Sequence, residues 1–196
     1  HGELSSGNSD TMIIASINNE TKEVKLASVY RDSYLELGNG SYGKSNSAYA
    51  IGGPQQAVAM LNANLDLNIT EYISVDMRAL VTIIDDLGGI ELSVTDEEAG
   101  YLNDYCVETT EIYDGTTYDR ANDLPGKGTY LMNGIQAVAY TRIRYTSGND
   151  FKRTSRQREV IGLIVDKAKS AGITTLNKIA DEVFDMILTS YSPTEL

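Results

Sequence analysis

Six lysine and arginine residues fall between Arg142 and Arg158, in the stretch RIRYTSGNDFKRTSRQR, and Asp150 is the only acid among them. Six cations less one carboxylate leave this stretch at +5, inside a chain whose net charge is −12. Charge serving solubility alone would be scattered along the chain. A cationic island in an acidic protein instead predicts a local anion site, and phosphate is the anion that suits it.

A helix predicted from 150 to about 170 gives the island a direction. On a wheel at about 100° per residue, Val160, Ile161, Ile164, Val165 and Ala168 form the inward stripe, and Arg153 and Gln157 lie on it. Asp150, which can cap this helix, projects to the same side and is the nearest partner for Arg153 at i to i+3. A buried guanidinium requires an anionic partner, because leaving it uncompensated costs several kcal/mol. Lys152, Arg156 and Arg158 fall off or at the edge of the stripe and read as solvated charge. Arg142-Ile143-Arg144 alternates, so an extended backbone would place both guanidinium groups on one face.

A second set of charges lies far upstream. Asp10 enters the first predicted strand, Arg31-Asp32 leaves the second, and Lys44 closes the following loop. In a hairpin the entry of one strand lies beside the exit of the next, so Asp10 and Arg31 are expected at one sheet end, close enough to share a site.

The elements that must position these groups follow from periodicity. Thr11–Ile17 and Val24–Tyr30 read as a strand hairpin across Asn18-Asn19-Glu20-Thr21-Lys22. Residues 31–47, rich in Gly, Ser and Asn, read as a long loop. Gly53-Pro54 opens a helix through Leu65, and Glu71–Val75 is a strand. Met77–Leu87 is a helix ending at Gly88-Gly89, and Ile90–Val94 alternates as a strand. A short helix is predicted over Asp96–Tyr105, a surface excursion over 106–129, and a helix over Asn133–Tyr140. The last helix is predicted from about Thr175 to Leu188. Strand, helix, strand points to an α/β sandwich in one domain spanning 1–196.

Composition narrows the class. With 196 residues and 41% hydrophobic content, the chain can bury a single core. A pI near 4.4 weighs against duplex nucleic acid, which needs a broad basic surface. Cys106 is the only cysteine, which excludes an intrachain disulfide and a cysteine-built metal centre. No apolar run approaches the ~18–20 residues of a membrane span.

Taken in order, a series of short motifs resembles one family. They are Ser9-Asp10-Thr11-Met12-Ile13-Ile14, Arg31-Asp32-Ser33, Lys44-x-Asn46-x-Ala48-Tyr49, Gly52-Gly53-Pro54 and Asp85-Asp86-Leu87-Gly88-Gly89-Ile90. Asn133-Gly134-x-Gln136-Ala137, Tyr140-x-Arg142-x-Arg144 and Asp150-x-x-Arg153-x-x-Arg156-Gln157 complete the set. Each alone is weak; the ordered series, from Ser9 to about Gly162, is similar to the LytR-CpsA-Psr family of cell-envelope proteins.

That resemblance implies a three-layer α/β/α sandwich with a central mixed β-sheet, enclosing a polyprenyl-phosphate lipid between helices such as those near 54–65 and 77–87. Their apolar stripes read equally as ordinary core. It implies an extracytoplasmic phosphotransferase, membrane-anchored through an N-terminal segment, that moves a wall teichoic acid or capsular glycopolymer from an undecaprenyl-pyrophosphate carrier to peptidoglycan with Mg²⁺. By matching positions, Arg31, Arg142, Arg144 and Arg153 would hold the pyrophosphate and Asp150 would orient the arginines. Lys44, Arg156 and Gln157 would be further substrate contacts, and Asp10 the carboxylate available to the metal. Displacement at a pyrophosphate phosphorus calls for such cations around both phosphates.

The chain departs from the family pattern in places. An Asp-x-Arg strand that normally precedes Ser-Asp-Thr would lie before His1, Asn8 stands where an arginine is usual, and Ser33 replaces a threonine. Loss of that first core strand is expected to leave the domain short of one carboxylate and of activity. Two other readings remain at this level: a hydrolase of polyprenyl-pyrophosphate lipids, and a non-catalytic lipid-phosphate module, in keeping with the family's older description as transcriptional attenuators.

Overall fold

The computed structural model describes residues 7–21, 23–144 and 149–191, except for the side chains of Asn149 and Asp150. The described residues fall into two compact units, one comprising those up to Val75 together with Ile187–Tyr191, the other Asp76–Met186.

The first unit begins with the predicted hairpin, β1 (Met12–Ile17) against β2 (Val24–Val29), in a register that pairs Met12 with Val29. Asn18 sets the turn by accepting hydrogen bonds from the amides of Glu20 and Thr21 at 2.9 Å each. Residues 31–47, expected to be a loop, contain a second hairpin, β3 (Tyr34–Glu36) and β4 (Tyr42–Lys44). Three-residue strands are too short for alternation to reveal, which is why composition pointed to a loop. Helix α1 (Ser47–Leu65) starts earlier than the sequence suggested and is broken at Gly52-Gly53. Gly53 has φ of 67°, which only glycine adopts without strain, and Pro54 then opens the straight part of the helix. Met12, Leu37, Ala48, Met60 and Leu61 form the core of this unit. Strand β5 (Ile73–Val75) pairs with β8 (Ile187–Thr189), the chain's late return.

In the second unit Asp76 caps α2 (Met77–Asp86) by accepting from the Ala79 amide at 2.7 Å. The helix closes at Gly88-Gly89, whose amides bond back to Asp85 and Ile84. Strand β6 (Ile90–Val94) buries Ile90, Leu92 and Val94 and turns Glu91 and Ser93 outward, the alternation expected of a one-sided strand. It pairs with β7 (Gly128–Met132). Helix α3 runs from Asp96 to Tyr113, well past the predicted end at Tyr105, because its inward stripe continues through Cys106, Thr109 and Thr110. Threonines in buried positions hid that continuation from an apolar pattern. Helix α4 (Gly134–Arg142) is buried on nearly every side. Its first residue must be glycine, since a Cβ on Gly134 would sit 2.3 Å from the Val81 carbonyl oxygen. Helix α5 (Asn149–Ser170) packs on α4, and α6 (Ile173–Val183) packs on α2. Where a helix through Leu188 was expected, the chain tightens into a 3₁₀ turn at Phe184–Met186 and enters β8.

The mixed α/β class holds. Among the described residues the strands pair as four two-stranded ladders, all antiparallel, rather than as one central mixed sheet. Strands β5 and β6, which flank α2 in sequence, each take an antiparallel partner from later in the chain. No described helix is long and apolar enough to cross a membrane.

Candidate functional site

Three short segments converge at one end of the β1–β2 hairpin. Continuing the register beyond Met12 and Val29 brings Asp10 opposite Arg31, and the Arg31 Nη1 donates to Asp10 Oδ1 at 2.6 Å. Arg31 Nε reaches Asp32 Oδ2 at 3.4 Å, and Lys44 Nζ donates to Asp32 Oδ1 at 2.7 Å. The result is a chain of alternating charge: Asp10, Arg31, Asp32, Lys44.

Backbone bonds hold this chain in place. Ser33 N bonds to Tyr30 O at 3.0 Å, closing a turn around Arg31-Asp32. Ser45 N donates to Ser33 O at 2.8 Å, Asn46 N to Arg31 O at 3.0 Å, and Ser9 N to Asn46 O at 3.3 Å. The fully buried Ser45 adds a hydroxyl bond to Tyr30 O at 2.8 Å. These are the Ser-Asp, Arg-Asp-Ser and Lys-x-Asn motifs, and their separation in sequence is resolved by this stitching. Lys44 beside Asp32, and less strongly Arg31, hold the Asp32 carboxyl below the usual carboxylate range. Asp32 belongs to the charge set and the motif noted in the sequence, but the family resemblance assigns it no role; the geometry places it between Arg31 and Lys44.

The second unit carries the basic island. Arg142 ends α4, where a cation complements the helix dipole. It donates to Thr109 Oγ1 at 2.9 Å and to Glu108 Oε1 at 2.8 Å, with its guanidinium 5.5 Å from the Tyr105 ring centroid. Tyr105, Glu108 and Thr109 share one face of α3 at i, i+3, i+4. The extended Arg142-Ile143-Arg144 segment expected from alternation is thus not found: the capping box of Asn133 and Gln136 starts a buried helix that runs through Arg142. Arg144 follows the helix and is exposed.

Within α5, Arg153 and Gln157 are buried at 5% and 7% exposure, on the stripe the wheel assigned to them. Arg156, read as solvated, is the most buried of the three at 3%. It donates to Glu98 Oε1 through Nη2 at 2.7 Å and Nε at 3.3 Å, and to the Ile143 carbonyl through Nη1 at 3.1 Å, over the Tyr140 ring at 5.5 Å. Glu98 is also the third helical residue of the Thr95 capping box. Burial alone would raise the Glu98 carboxyl, but the Thr95 amide and the Arg156 guanidinium outweigh it and hold it below its ordinary value. Arg156 therefore ties the starts of α3 and α5 to the end of α4. The Asp150 side chain lies outside the described residues.

Chemically, the first cluster offers a guanidinium and an ammonium oriented by carboxylates, which suits a phosphate oxygen. Asp10 and Asp32 both lie on Arg31, and no described group of three or more acidic, histidine or cysteine side chains could hold a metal. One or two carboxylates fit Mg²⁺, which takes its remaining ligands from phosphate oxygens and water.

A model of the LytR_cpsA_psr family matches residues 2–196. The polyisoprenyl-teichoic acid–peptidoglycan teichoic acid transferase TagU of Bacillus licheniformis is 34% identical over 177 residues, which cover 89% of this chain and 51% of that relative. Biofilm regulatory protein A of Streptococcus mutans is 32% identical over 169 residues, covering 82% of this chain and 39% of its own length. This chain thus spans about half the length of the curated relatives it matches. The crystal structure of protein gbs0355 from Streptococcus agalactiae superposes with a TM-score of 0.74 at 29% identity, covering 96% of this chain and 63% of that one.

Proposed function

The chain belongs to the LytR_cpsA_psr family, and from that premise we propose that it is the transferase portion of an extracytoplasmic, membrane-anchored protein that moves a polyprenyl-pyrophosphate-linked glycopolymer to peptidoglycan. The observation that carries this reading is the Asp10, Arg31, Asp32, Lys44 chain, with Arg31 held at 2.6 Å on Asp10. It presents two oriented cations and two carboxylates from three motifs of the family pattern.

In the proposed reaction an acceptor hydroxyl oxygen attacks the glycan-bearing phosphorus, and the bond from that phosphorus to the polyprenyl phosphate breaks. The polyprenyl phosphate leaves with the bonding pair, and the hydroxyl proton passes to a base. Arg31 and Lys44 would bind phosphate oxygens and offset charge that builds on both phosphates. Within the second unit, Arg142, Arg144, Arg153 and Gln157 are proposed as phosphate-binding residues in their own right, with Asp150 orienting the arginines. Arg156 is assigned instead a positioning role, since its donors are engaged by Glu98 and Ile143. Asp10, with Asp32 beside it, would hold Mg²⁺, which would supply further charge neutralisation at the phosphates.

The test is transfer of a labelled glycan from its lipid pyrophosphate to peptidoglycan by the full-length protein with Mg²⁺. Label on peptidoglycan, reduced about 10²–10³-fold by Arg31→Ala, is expected. Glycan phosphate released into solution would assign a hydrolase. Binding without turnover would assign a regulatory module, as the name of the Streptococcus mutans relative suggests for that protein. No difference between wild type and Arg31→Ala would overturn the site.

A further inference from the structure

The β3–β4 hairpin carries a surface feature that the phosphate chemistry does not use. Its register places Tyr34 opposite Lys44 and Glu36 opposite Tyr42, so all four side chains stand on one face. The tyrosine rings are near-parallel at 24°, with centroids 6.2 Å apart, and are 73% and 64% exposed. At that separation the rings cover little of each other, leaving a broad aromatic surface open to solvent.

The hairpin is held rigidly. Asn64 on α1 brackets Glu36, donating to its carbonyl at 2.6 Å and accepting from its amide at 3.2 Å. Gln56 donates to the Leu37 carbonyl, and the Leu37 side chain is buried in the unit core. The Glu36 carboxylate closes the turn by accepting from the Asn39 and Gly40 amides at 2.9 and 2.6 Å. Two exposed aromatic rings on a preorganised backbone lose little conformational freedom when a ligand covers them.

Lys44 joins this surface to the anion cluster. It faces Tyr34 across the ladder while its ammonium group lies on Asp32, which also contacts Arg31. We propose that Tyr34 and Tyr42 form a stacking platform for sugar rings of the glycan donor, next to the bound pyrophosphate. The inference rests on the function proposed above. The donor glycan is chosen because its first sugar is bonded to the phosphate that Arg31 and Lys44 would hold, so its rings are the ones delivered beside Lys44. The axial C–H faces of a pyranose suit the electron-rich face of a tyrosine ring, whose quadrupole is negative there.

The test compares binding of inorganic pyrophosphate with binding of glucose, galactose and N-acetylglucosamine disaccharides, each free and as the 1-phosphate, by ligand-observed NMR and calorimetry. For at least one sugar, the disaccharide phosphate should bind about tenfold tighter than pyrophosphate. Tyr34→Ala/Tyr42→Ala should remove that gain, and Tyr34→Phe/Tyr42→Phe should keep it, with pyrophosphate affinity unchanged in both. Equal affinity for pyrophosphate and every sugar phosphate, or a gain that survives the alanine variant, would overturn the platform. So would tyrosine-dependent self-association without sugar binding. Failure of the phosphate reading is distinguishable, because pyrophosphate would then bind wild type and Arg31→Ala alike while free disaccharide binding still reports on the tyrosines.

Discussion

Replacing Arg156 by methionine keeps the apolar stem of the buried side chain and removes its charge and its donors. Wild-type Arg156 is 3% exposed and its partner Glu98 14%. Deleting one member of a buried pair costs about 3–5 kcal/mol, because the other charge is left uncompensated. Glu98 keeps its bond from the Thr95 amide at 2.9 Å and some contact with water, which moves the expectation to the lower end. The Ile143 carbonyl, deprived of its 3.1 Å donor, adds about 1 kcal/mol. Arg156→Met should therefore destabilise the protein by about 3–4 kcal/mol, a fall in Tm of about 8–12 °C for a chain of this size. A double-mutant cycle with Glu98→Gln, read by urea denaturation, should give a coupling of about 2 kcal/mol. The acid limb provides a second readout. The folded-state carboxyl of Glu98 lies below its ordinary value of 4.5. The pair's contribution is thus complete above that value and is lost as the pH falls through the lower folded-state value. Arg156→Met should lose less stability than wild type over that range. A cost below about 1 kcal/mol, with an unchanged acid limb, would show that Arg156 is solvated surface charge and refute the clamp.

Lys44→Met should let the Asp32 carboxyl rise toward its usual value, seen as a higher carboxyl titration midpoint by NMR; an unmoved midpoint would contradict the ion pair. Burial pushes the Cys106 thiol up to about 12, so native protein at pH 8 should resist iodoacetamide and react only as fast as it unfolds. Alkylation at the rate of a free thiol would place Cys106 at the surface. Gly134→Ala should destabilise by about 1–3 kcal/mol, since its Cβ has only the Val81 backbone to displace; a neutral result in denaturant titration would show that α2 and α4 can separate there.

The pairing of Asp10 with Arg31 was legible because hairpin register is arithmetic: residues whose numbers share the sum of Met12 and Val29 must face each other. The inward placement of Arg153, Gln157 and Val160 was legible because a helix wheel needs only the 3.6-residue period, whereas Val165, put on the same stripe, is 44% exposed. The β3–β4 hairpin and the tail of α3 were not, since three-residue strands and inward threonines carry no apolar period. Arg142 and Arg144 looked like one face of a strand, whereas the helix begun at Asn133 continues through Arg142.

Residue types and spacing by themselves determined the charged inventory, the order of the motifs and the family, because these reside in local composition. Tertiary packing alone decided which cations are spent on structure. One wheel assigns a helix a single inward face, but α5 is covered on a second side by Glu98, Tyr140 and the Ile143 carbonyl. That second cover turns Arg156 from apparent surface charge into an internal clamp. It also leaves Arg31 and Lys44, oriented by carboxylates at the hairpin end, as the clearest candidates for binding phosphate.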